Sequence, residues 1–491
     1  MRRYLIEEPN LFFNVGKKCV DPKVGLLNFG PNGLTHENQI IEIGIIGSMA
    51  SIRETKHFFK RLEHDIPGKN YENSNVRSID FPGVDQNKPL KFFFNINQDN
   101  CETIPESSIN ELSDNDKTRK DKISSIANAF RTAMMDLAGL RPCPDIVILA
   151  YPEEIIKNCS NPITKTKRIS LVDRTYPNLK RLAETDPTDR ELLYDLHNHL
   201  KVIGFETNLK TQILYPSTRN FASEQDQAIT AWNLVSAIFY KSTGNPWKLA
   251  DLDPETVHVG ISFFNDINSN DQVVTRAAIA QVYMKTGDSQ VIRGMEIPLL
   301  NDKADRIPEL TKPQAKNILS EAIGVYKRQH KDELPYRVVV HKTSDYSMDE
   351  LDGFKQASEG IEVQDYLHIM KRSGFRVLSP SKYPVARGTV FDYPKQREFY
   401  LFTTGYVSAL DTYPGSKLPV PLKVRTVDIE SKSKTIAEDI MNLTKLDWNS
   451  CEFAKANPVT ISTSEKVGAI LAEITLTGRN INPPITYADY M

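Results

Sequence analysis

Short apolar runs alternate with longer amphipathic segments through the first half of the chain. From Gln39 the run IIEIGIIGS predicts a buried strand, and MASIRETKHFFKRLE after it spaces apolar residues at helical intervals. The alternation recurs at LKFFFNI (Leu90–Ile96), over Lys122–Leu140, and at DIVILAYPEEIIKN (Asp145–Asn158). Continuous apolar strands joined by helices indicate a mostly parallel, Rossmann-like sheet covered on both faces.

The pattern changes after a helix that ends at Gly244-Asn245-Pro246. Gly followed by Pro is an expected helix stop, so we place a domain boundary there. Beyond it come apolar strands, a long helix and a further strand, at Val257–Phe264, Thr275–Met284, Gln290–Ile297, Lys312–His330 and YRVVVH. This order opens a ribonuclease-H-like sheet, although periodicity alone leaves other α/β folds open.

Residues 1–35 are too few to bury a core of their own. They predict short strands around a loop rich in Pro, Gly and Asn, from Asp21 to Gly33. These strands must therefore pack on a later part of the chain. The predicted domains are 1–38, 39–245 and 246–491.

Composition narrows the classes of function. The 491 residues carry 61 Lys and Arg against 63 Asp and Glu, a net charge of -2, so a polyanion must be held by local basic clusters. Five scattered cysteines without C-x-x-C spacing indicate neither a disulfide framework nor a zinc knuckle and favour a reducing, cytoplasmic setting. No apolar window is long enough to predict a membrane span or signal peptide.

The sequence departs from the common catalytic and nucleotide-binding motifs. Pro31-Asn32 stands where a phosphate loop needs Gly-Lys, and IGIIGS is one glycine short of the Rossmann fingerprint. The sequence contains neither H-E-x-x-H nor G-x-S-x-G.

A set of anion-binding side chains does precede Gly244. His197 and Lys201 are four residues apart and share one helix face, and Gln212 and Lys241 follow on the next strand and helix. These groups could meet near one end of a Rossmann-like sheet, where phosphates bind. By spacing alone, polar faces of amphipathic helices are the commoner explanation.

Several segments together carry a resemblance to a known family. They are EEPNLFFNVGKKCVDPKVGLLNFGP, YPEEI, LHNHLK followed by TQIL, YKSTGNPWKL, PVARGT, LTKLDWNS and NPVTISTSEKVGAIL. In this order, and over nearly the whole chain, they resemble a short prokaryotic Argonaute, the lineage that keeps only MID and PIWI domains. The resemblance implies a Rossmann-like MID domain, then a ribonuclease-H-like PIWI domain with the N-terminal strands packed on it.

The resemblance also implies a pocket for the 5′-phosphate of a guide strand. Its phosphate ligands fall on His197, Lys201, Gln212 and Lys241. The C-terminal carboxylate on Met491 would enter the same pocket and, with Gln212, share a Mg²⁺ ion with the guide. Two ammonium groups would neutralise the phosphate and His197 would stack on the first base.

The PIWI half is expected not to cut. A slicing Argonaute holds two metal ions with a carboxylate tetrad. Ser262 stands where the first Asp should follow Gly-Ile, and Thr343 stands where the second should follow the VVH strand, with Asp345 displaced by two residues. Val459–Ser464 offers neither His nor Asp, and Glu465 alone cannot restore the site.

Three further side chains match family segments that line the guide-target channel: Arg387, Lys445 and Asn449. There Arg and Lys would neutralise phosphates without reading sequence. The alternative for Arg387 is that it satisfies backbone carbonyls in a strand turn.

The implied function is that of an inactive sensor. It would load a short guide RNA, pair it with complementary single-stranded DNA from an invader, and switch on a separate APAZ-containing protein with a TIR or sirtuin-like effector. A heterodimer, NAD depletion and higher assembly on activation follow by analogy. Two alternatives stay open: an active Mg²⁺-dependent nuclease using Asp253, Asp345 or Glu465, and a ribonuclease-H-fold interaction protein without a guide.

Overall fold

The computed structural model of the chain describes residues 1–34, 39–69, 78–112, 116–159, 195–221, 226–267, 273–283, 289–292, 296–297, 309–371, 373–415 and 417–491. The strands are β1 (Arg2–Leu5), β2 (Leu11–Phe12), β3 (Lys18–Cys19), β4 (Gln39–Gly47), β5 (Phe92–Asn95), β6 (Cys101–Thr103), β7 (Ile146–Ala150), β8 (Thr211–Leu214), β9 (Lys248–Leu249), β10 (Thr256–Ile267), β11 (Val273–Tyr283), β12 (Ser289–Ile292), β13 (Glu296–Ile297), β14 (Arg337–Lys342), β15 (Val363–Met370), β16 (Thr389–Tyr393), β17 (Glu398–Leu401) and β18 (Leu422–Ile429).

The α-helices follow the same chain order. They are α1 (Pro22–Phe29), α2 (Met49–Leu62), α3 (Glu106–Leu112), α4 (Arg119–Gly139), α5 (Glu153–Cys159), α6 (Leu196–Thr207), α7 (Pro216–Arg219), α8 (Gln227–Ser242), α9 (Lys312–Gln329), α10 (Met348–Ala357), α11 (Ser433–Leu443), α12 (Val459–Ser462), α13 (Ser464–Leu476) and α14 (Tyr487–Tyr490). In the described part of the chain, no helix is both long and apolar enough to cross a membrane.

The first body is a five-stranded sheet in the order β5-β4-β7-β8, with β6 pairing the far end of β4. Every pairing in it is parallel. Helices α2 and α8 supply one apolar cluster and α4 and α6 the other, so β4 and β7 are buried on both faces. This confirms the Rossmann-like body that the continuous apolar strands predicted.

The second body is a ten-stranded mixed sheet, β1-β16-β17-β18-β15-β14-β10-β11-β12, with β13 pairing β11. The antiparallel meander β10-β11-β12 and the parallel strands β14 and β15 form the predicted ribonuclease-H-like core. Helices α9 and α10 cover one face of that core, and α11 packs on the other face of the sheet.

The N-terminal strands pack on this second body, as predicted. β1 pairs with β16 at the edge of the large sheet. β2 pairs with β3 and with β9, which follows directly after the first body.

The loop predicted from Asp21 to Gly33 was wrong, because α1 occupies most of it. The Asp21 carboxylate accepts hydrogen bonds from the main-chain N–H groups of Lys23 and Val24, and Pro22 takes the first helical position. Gly30 ends the helix at φ 75°. Pro22 and Gly30, which suggested a break in secondary structure, mark the beginning and the end of this helix.

Candidate anion-binding pocket

Three elements of the first body bring the predicted pocket residues together. Lys201 lies in α6, Gln212 in β8 and Lys241 in the last turn of α8. Helix α6 begins at Asp195, whose carboxylate accepts from the main-chain N–H of His197. It ends at Asn208, whose left-handed φ of 55° turns the chain into β8.

The two lysines share one acceptor. Nζ of Lys201 lies 2.7 Å from the carbonyl oxygen of Thr211, and Nζ of Lys241 lies 3.1 Å from the same atom. Lys241 also donates to Oε1 of Gln212 at 2.6 Å. Lys201 donates in addition to the main-chain oxygen of Met491. The structure therefore brings Lys201, Gln212, Lys241 and Met491 into one contact group.

Both ammonium groups are cut off from water, at 2% and 1% exposure for Lys201 and Lys241. Burial lowers the pKa of Lys201 to about 7. Burial, followed by the charge of Lys201, lowers the pKa of Lys241 well below its ordinary value. Among the described residues, no side-chain carboxylate lies within ion-pair distance of either lysine. Asp489 acts on both charges from farther away, so the two ammonium groups are only partly neutralised.

His197 lies one turn before Lys201 on the same face of α6. Burial, and then the charge of Lys201, lowers the pKa of His197 to about 4. The ring is therefore neutral at pH 7, with Nδ1 3.3 Å from Oδ1 of Asn198. A neutral imidazole can stack on a base but adds no positive charge.

The oxygen atoms expected to hold Mg²⁺ do not form a magnesium site by themselves. Oε1 of Gln212 and the main-chain oxygen of Met491 each accept from a lysine ammonium group, which repels a cation. Magnesium prefers several oxygen ligands, and the described residues contain no group of three or more His, Cys, Asp or Glu placed to hold a metal. The shared Mg²⁺ stays a prediction.

The predicted tetrad positions lie in the middle of β10 and at the carboxyl end of the neighbouring strand β14. Ser262 is 7% exposed and follows a bulge in the pairing of β10 with β11. Thr343 follows β14 directly. Asp345 pairs with Arg425, at 2.7 Å, and lies 3.8 Å from Nδ1 of His368. Basic groups therefore surround this carboxylate where a metal site would need acidic ones.

Two of the carboxylates proposed for a displaced tetrad lie far apart. Asp253 precedes β10 and Asp345 follows β14, and these two strands run parallel. Six strand residues separate the two ends of β14, so the carboxylates lie roughly 20 Å apart. Catalytic metal pairs are about 4 Å apart, so these two aspartates cannot share one. The side chain of Glu465 lies outside the described residues.

The predicted channel residues have internal partners. Arg387 is 6% exposed and binds the Glu8 carboxylate at 2.9 Å, the Thr403 carbonyl and the Thr444 hydroxyl. Lys445, buried too, lies 2.7 Å from the same Glu8 carboxylate.

Asn449 is half-buried, and its main-chain N–H donates to Asp447. The contact between Arg387 and the Thr403 carbonyl agrees with the alternative explanation, in which Arg387 satisfies backbone carbonyls. The ion pairs with Glu8 give both Arg387 and Lys445 a structural role. Their place in a guide-target channel stays a prediction.

Comparison with known proteins finds the fold among solved Argonautes. Clostridium butyricum Argonaute, bound to a guide DNA with a 5′ deoxycytidine and a 19-mer target DNA, matches with a TM-score of 0.59 and 16% identity, over 96% of this chain and 53% of that chain. Aa-Ago with externally bound siRNA matches with a TM-score of 0.58 and 16% identity, over 99% of this chain and 55% of that chain. A. aeolicus Argonaute matches with a TM-score of 0.56 and 16% identity, over 98% of this chain and 54% of that chain.

The chain thus has an Argonaute-like fold and spans about half the length of these solved structures. Identity of this size establishes the fold and no activity. The sequence matches no family profile. It also matches no curated protein.

Sequence reasoning missed two contributors to the pocket. The Thr211 carbonyl that joins the lysines is a main-chain atom and carries no signal in residue type. Asp489 faces both lysines, and its pKa is raised by burial. The sequence did contain one signal for Asp489, since it lies two residues before Met491, which was expected in the pocket.

Proposed function

We propose that the chain binds the 5′-phosphate end of a short guide strand, expected to be RNA, through Lys201, Gln212 and Lys241. The observation that carries the proposal is a pair of buried ammonium groups on one carbonyl oxygen without a side-chain carboxylate partner. A phosphate group supplies a negative charge and several acceptor oxygens directly at the two ammonium groups. His197, on the same helix face, stacks on the first base.

The guide then pairs with complementary single-stranded DNA. Base pairing reads the sequence, whereas the protein holds phosphates and duplex shape. A guide and a target are both present in the solved Clostridium butyricum neighbour. The shared fold supports the same division of labour in this chain.

Target pairing activates a separate protein instead of cutting. Ser262 and Thr343 stand where the family resemblance expects tetrad carboxylates, and Asp345 pairs with Arg425, which supports an inactive site. A chain that recognises without cleaving needs an effector to produce a response. The partner is an APAZ-containing TIR or sirtuin-like protein in a heterodimer, with NAD depletion as the output in prokaryotic immunity.

The test compares two short RNAs of one sequence, carrying a 5′-phosphate or a 5′-hydroxyl, at one stated salt concentration. We expect tighter binding of the phosphorylated strand, by at least about tenfold. Equal affinity would remove the pocket and leave a ribonuclease-H-fold interaction protein. Parallel reactions with Mg²⁺, with chelator and with labelled complementary DNA report metal dependence and cleavage, and a cleaved target would support the nuclease instead.

A further inference from the structure

A buried ionisable pair joins the two bodies through α6, the helix that also carries Lys201. His199 lies in α6 and Glu473 in α13, and Nδ1 of His199 is 3.5 Å from Oε1 of Glu473. Helix α6 belongs to the first body, whereas α13 packs on β10 and β11 of the second. The two side chains are 6% and 1% exposed, so water does not reach them freely.

Glu473 also holds the first turn of α6. The main-chain N–H of Asp195 donates to its carboxyl group, and Asp195 caps the helix by accepting from His197. Within the described part of the chain, neither ring nitrogen of His199 nor Oε1 of Glu473 has a hydrogen-bond partner. A modest closing of the 3.5 Å separation pairs two buried polar atoms that are otherwise unsatisfied.

The charge state of the pair follows from its surroundings. Burial raises the pKa of Glu473 well above its ordinary value, and the nearby Asp195 carboxylate raises it further. Burial, and then Arg479, lowers the pKa of His199 to about 4. Both shifts disfavour the charged forms, so the surroundings favour a pair without net charge, in which the Glu473 carboxyl group donates to the His199 ring.

We propose that Glu473 and His199 form a proton-sharing clamp that fixes α6 against α13, which makes Glu473 a positioning residue for Lys201 and His197. The clamp stands on its own geometry, and only the link to those two residues rests on the proposed function. Loss of the shared proton at high pH leaves a buried anion beside Asp195. Gain of a second proton at low pH leaves a buried cation beside Arg479.

Two substitutions at one position separate the clamp from simple packing. Glu473→Gln keeps the shape and stays neutral at every pH, since its amide can donate to His199 and accept from Asp195. Glu473→Ala removes both contacts. The readout is hydrogen exchange of α6 in the full chain at pH 7 and pH 9, corrected for the intrinsic rate, with α2 as the internal reference.

We expect wild-type α6 to exchange at least about fivefold faster at pH 9 relative to α2, and the Gln variant to lose that increase. The Ala variant should exchange faster already at pH 7. Wild type and Gln variant with the same pH response would overturn the clamp. If the Ala variant does not fold, the comparison of wild type with the Gln variant still decides.

A binding measurement addresses the positioning role separately. With the same 5′-phosphorylated RNA, the Ala variant should bind at least about fivefold more weakly at pH 7, and the Gln variant should match wild type. Unchanged binding by a folded Ala variant would end the positioning role. If wild type itself does not prefer the 5′-phosphate, the proposed function fails, while the exchange data still decide the clamp.

Discussion

Nζ of Lys201 donates to the main-chain oxygen of Met491, although 290 positions separate the two residues. This contact draws the C-terminal segment of the second body into a pocket built by the first. Met491 is 8% exposed, so this contact is buried between the two bodies. The site therefore depends on how the two bodies meet.

Replacing both Lys201 and Lys241 with Met should abolish the preference for a 5′-phosphate. The methionines keep most of the volume but remove both charges, and two charge-assisted contacts are worth about a hundredfold or more in affinity. The substitution removes two buried, mutually repelling ammonium groups but also takes both lysine donors from the Thr211 carbonyl, so the thermal midpoint should change little. The exposed Lys60 and Lys157, both changed to Met, form the matched control. A retained phosphate preference in the pocket variant would refute the assignment.

Extending the chain beyond Met491 should weaken guide loading. A Gly-Ser extension after Met491 forces additional atoms into a buried region and displaces the main-chain oxygen that accepts from Lys201. We expect about a tenfold loss in affinity for 5′-phosphorylated RNA, since one charged contact is lost. The same two residues placed before the exposed Met1 serve as the control. Equal loading by both extended chains would exclude a role for the Met491 main-chain oxygen.

The sheets were predictable from sequence because each core strand is a continuous apolar run. Ile146–Ala150 is wholly buried, and a run of that kind has few alternatives to a parallel strand covered on both faces. Helix α1 was missed because Pro and Gly usually indicate a break in secondary structure. Here Pro22 follows the capping residue Asp21 at the start of the helix, and Gly30 ends it. Local sequence patterns therefore predicted which segments form strands, but they did not predict where helices begin and end.

The pocket was only partly predictable. The helical spacing of His197 and Lys201 placed them on one face, but the Thr211 carbonyl that joins the lysines has no signature. The ion cluster on Glu8 could not be predicted, since Glu8 and Arg387 are 379 residues apart. Contacts of such range follow from how the elements assemble and not from periodicity.

Glu8→Gln should destabilise the fold. The Glu8 carboxylate pairs with both Arg387 and Lys445, and breaking it leaves two buried cations without a counter-charge. Removing one partner of a buried ion pair costs about 3–5 kcal/mol. Urea unfolding of wild type and variant checks this, with the exposed neighbour Glu7→Gln as the control. Matching midpoints for the two variants would mean that the cluster adds no stability.

Ser262→Asp should not create target cleavage. The new carboxylate would stand alone, because Thr343 offers no charged ligand and Asp345 is held by Arg425. Two-metal catalysis needs carboxylates that converge on both ions. Incubation with guide, labelled complementary DNA and Mg²⁺ checks the prediction. A cut strand from the variant, absent with chelator, would show that the remaining ligands are already in place.

Acid should destabilise the second body through His341. Burial, followed by the proximity of His258, lowers the pKa of His341 to about 3, and Nδ1 lies 2.8 Å from Oγ1 of Thr460. The unfolded chain, with an ordinary histidine pKa near 6.5, binds the proton that the folded chain refuses, so stability is lost as pH falls below about 6.5. By pH 5 this one group should lower the free energy of unfolding by about 2 kcal/mol. Urea unfolding between pH 7.5 and pH 5 measures the slope, and the exposed His57→Ala variant should leave it unchanged. A flat profile over that range would show that His341 reaches a proton without unfolding, which its complete burial argues against.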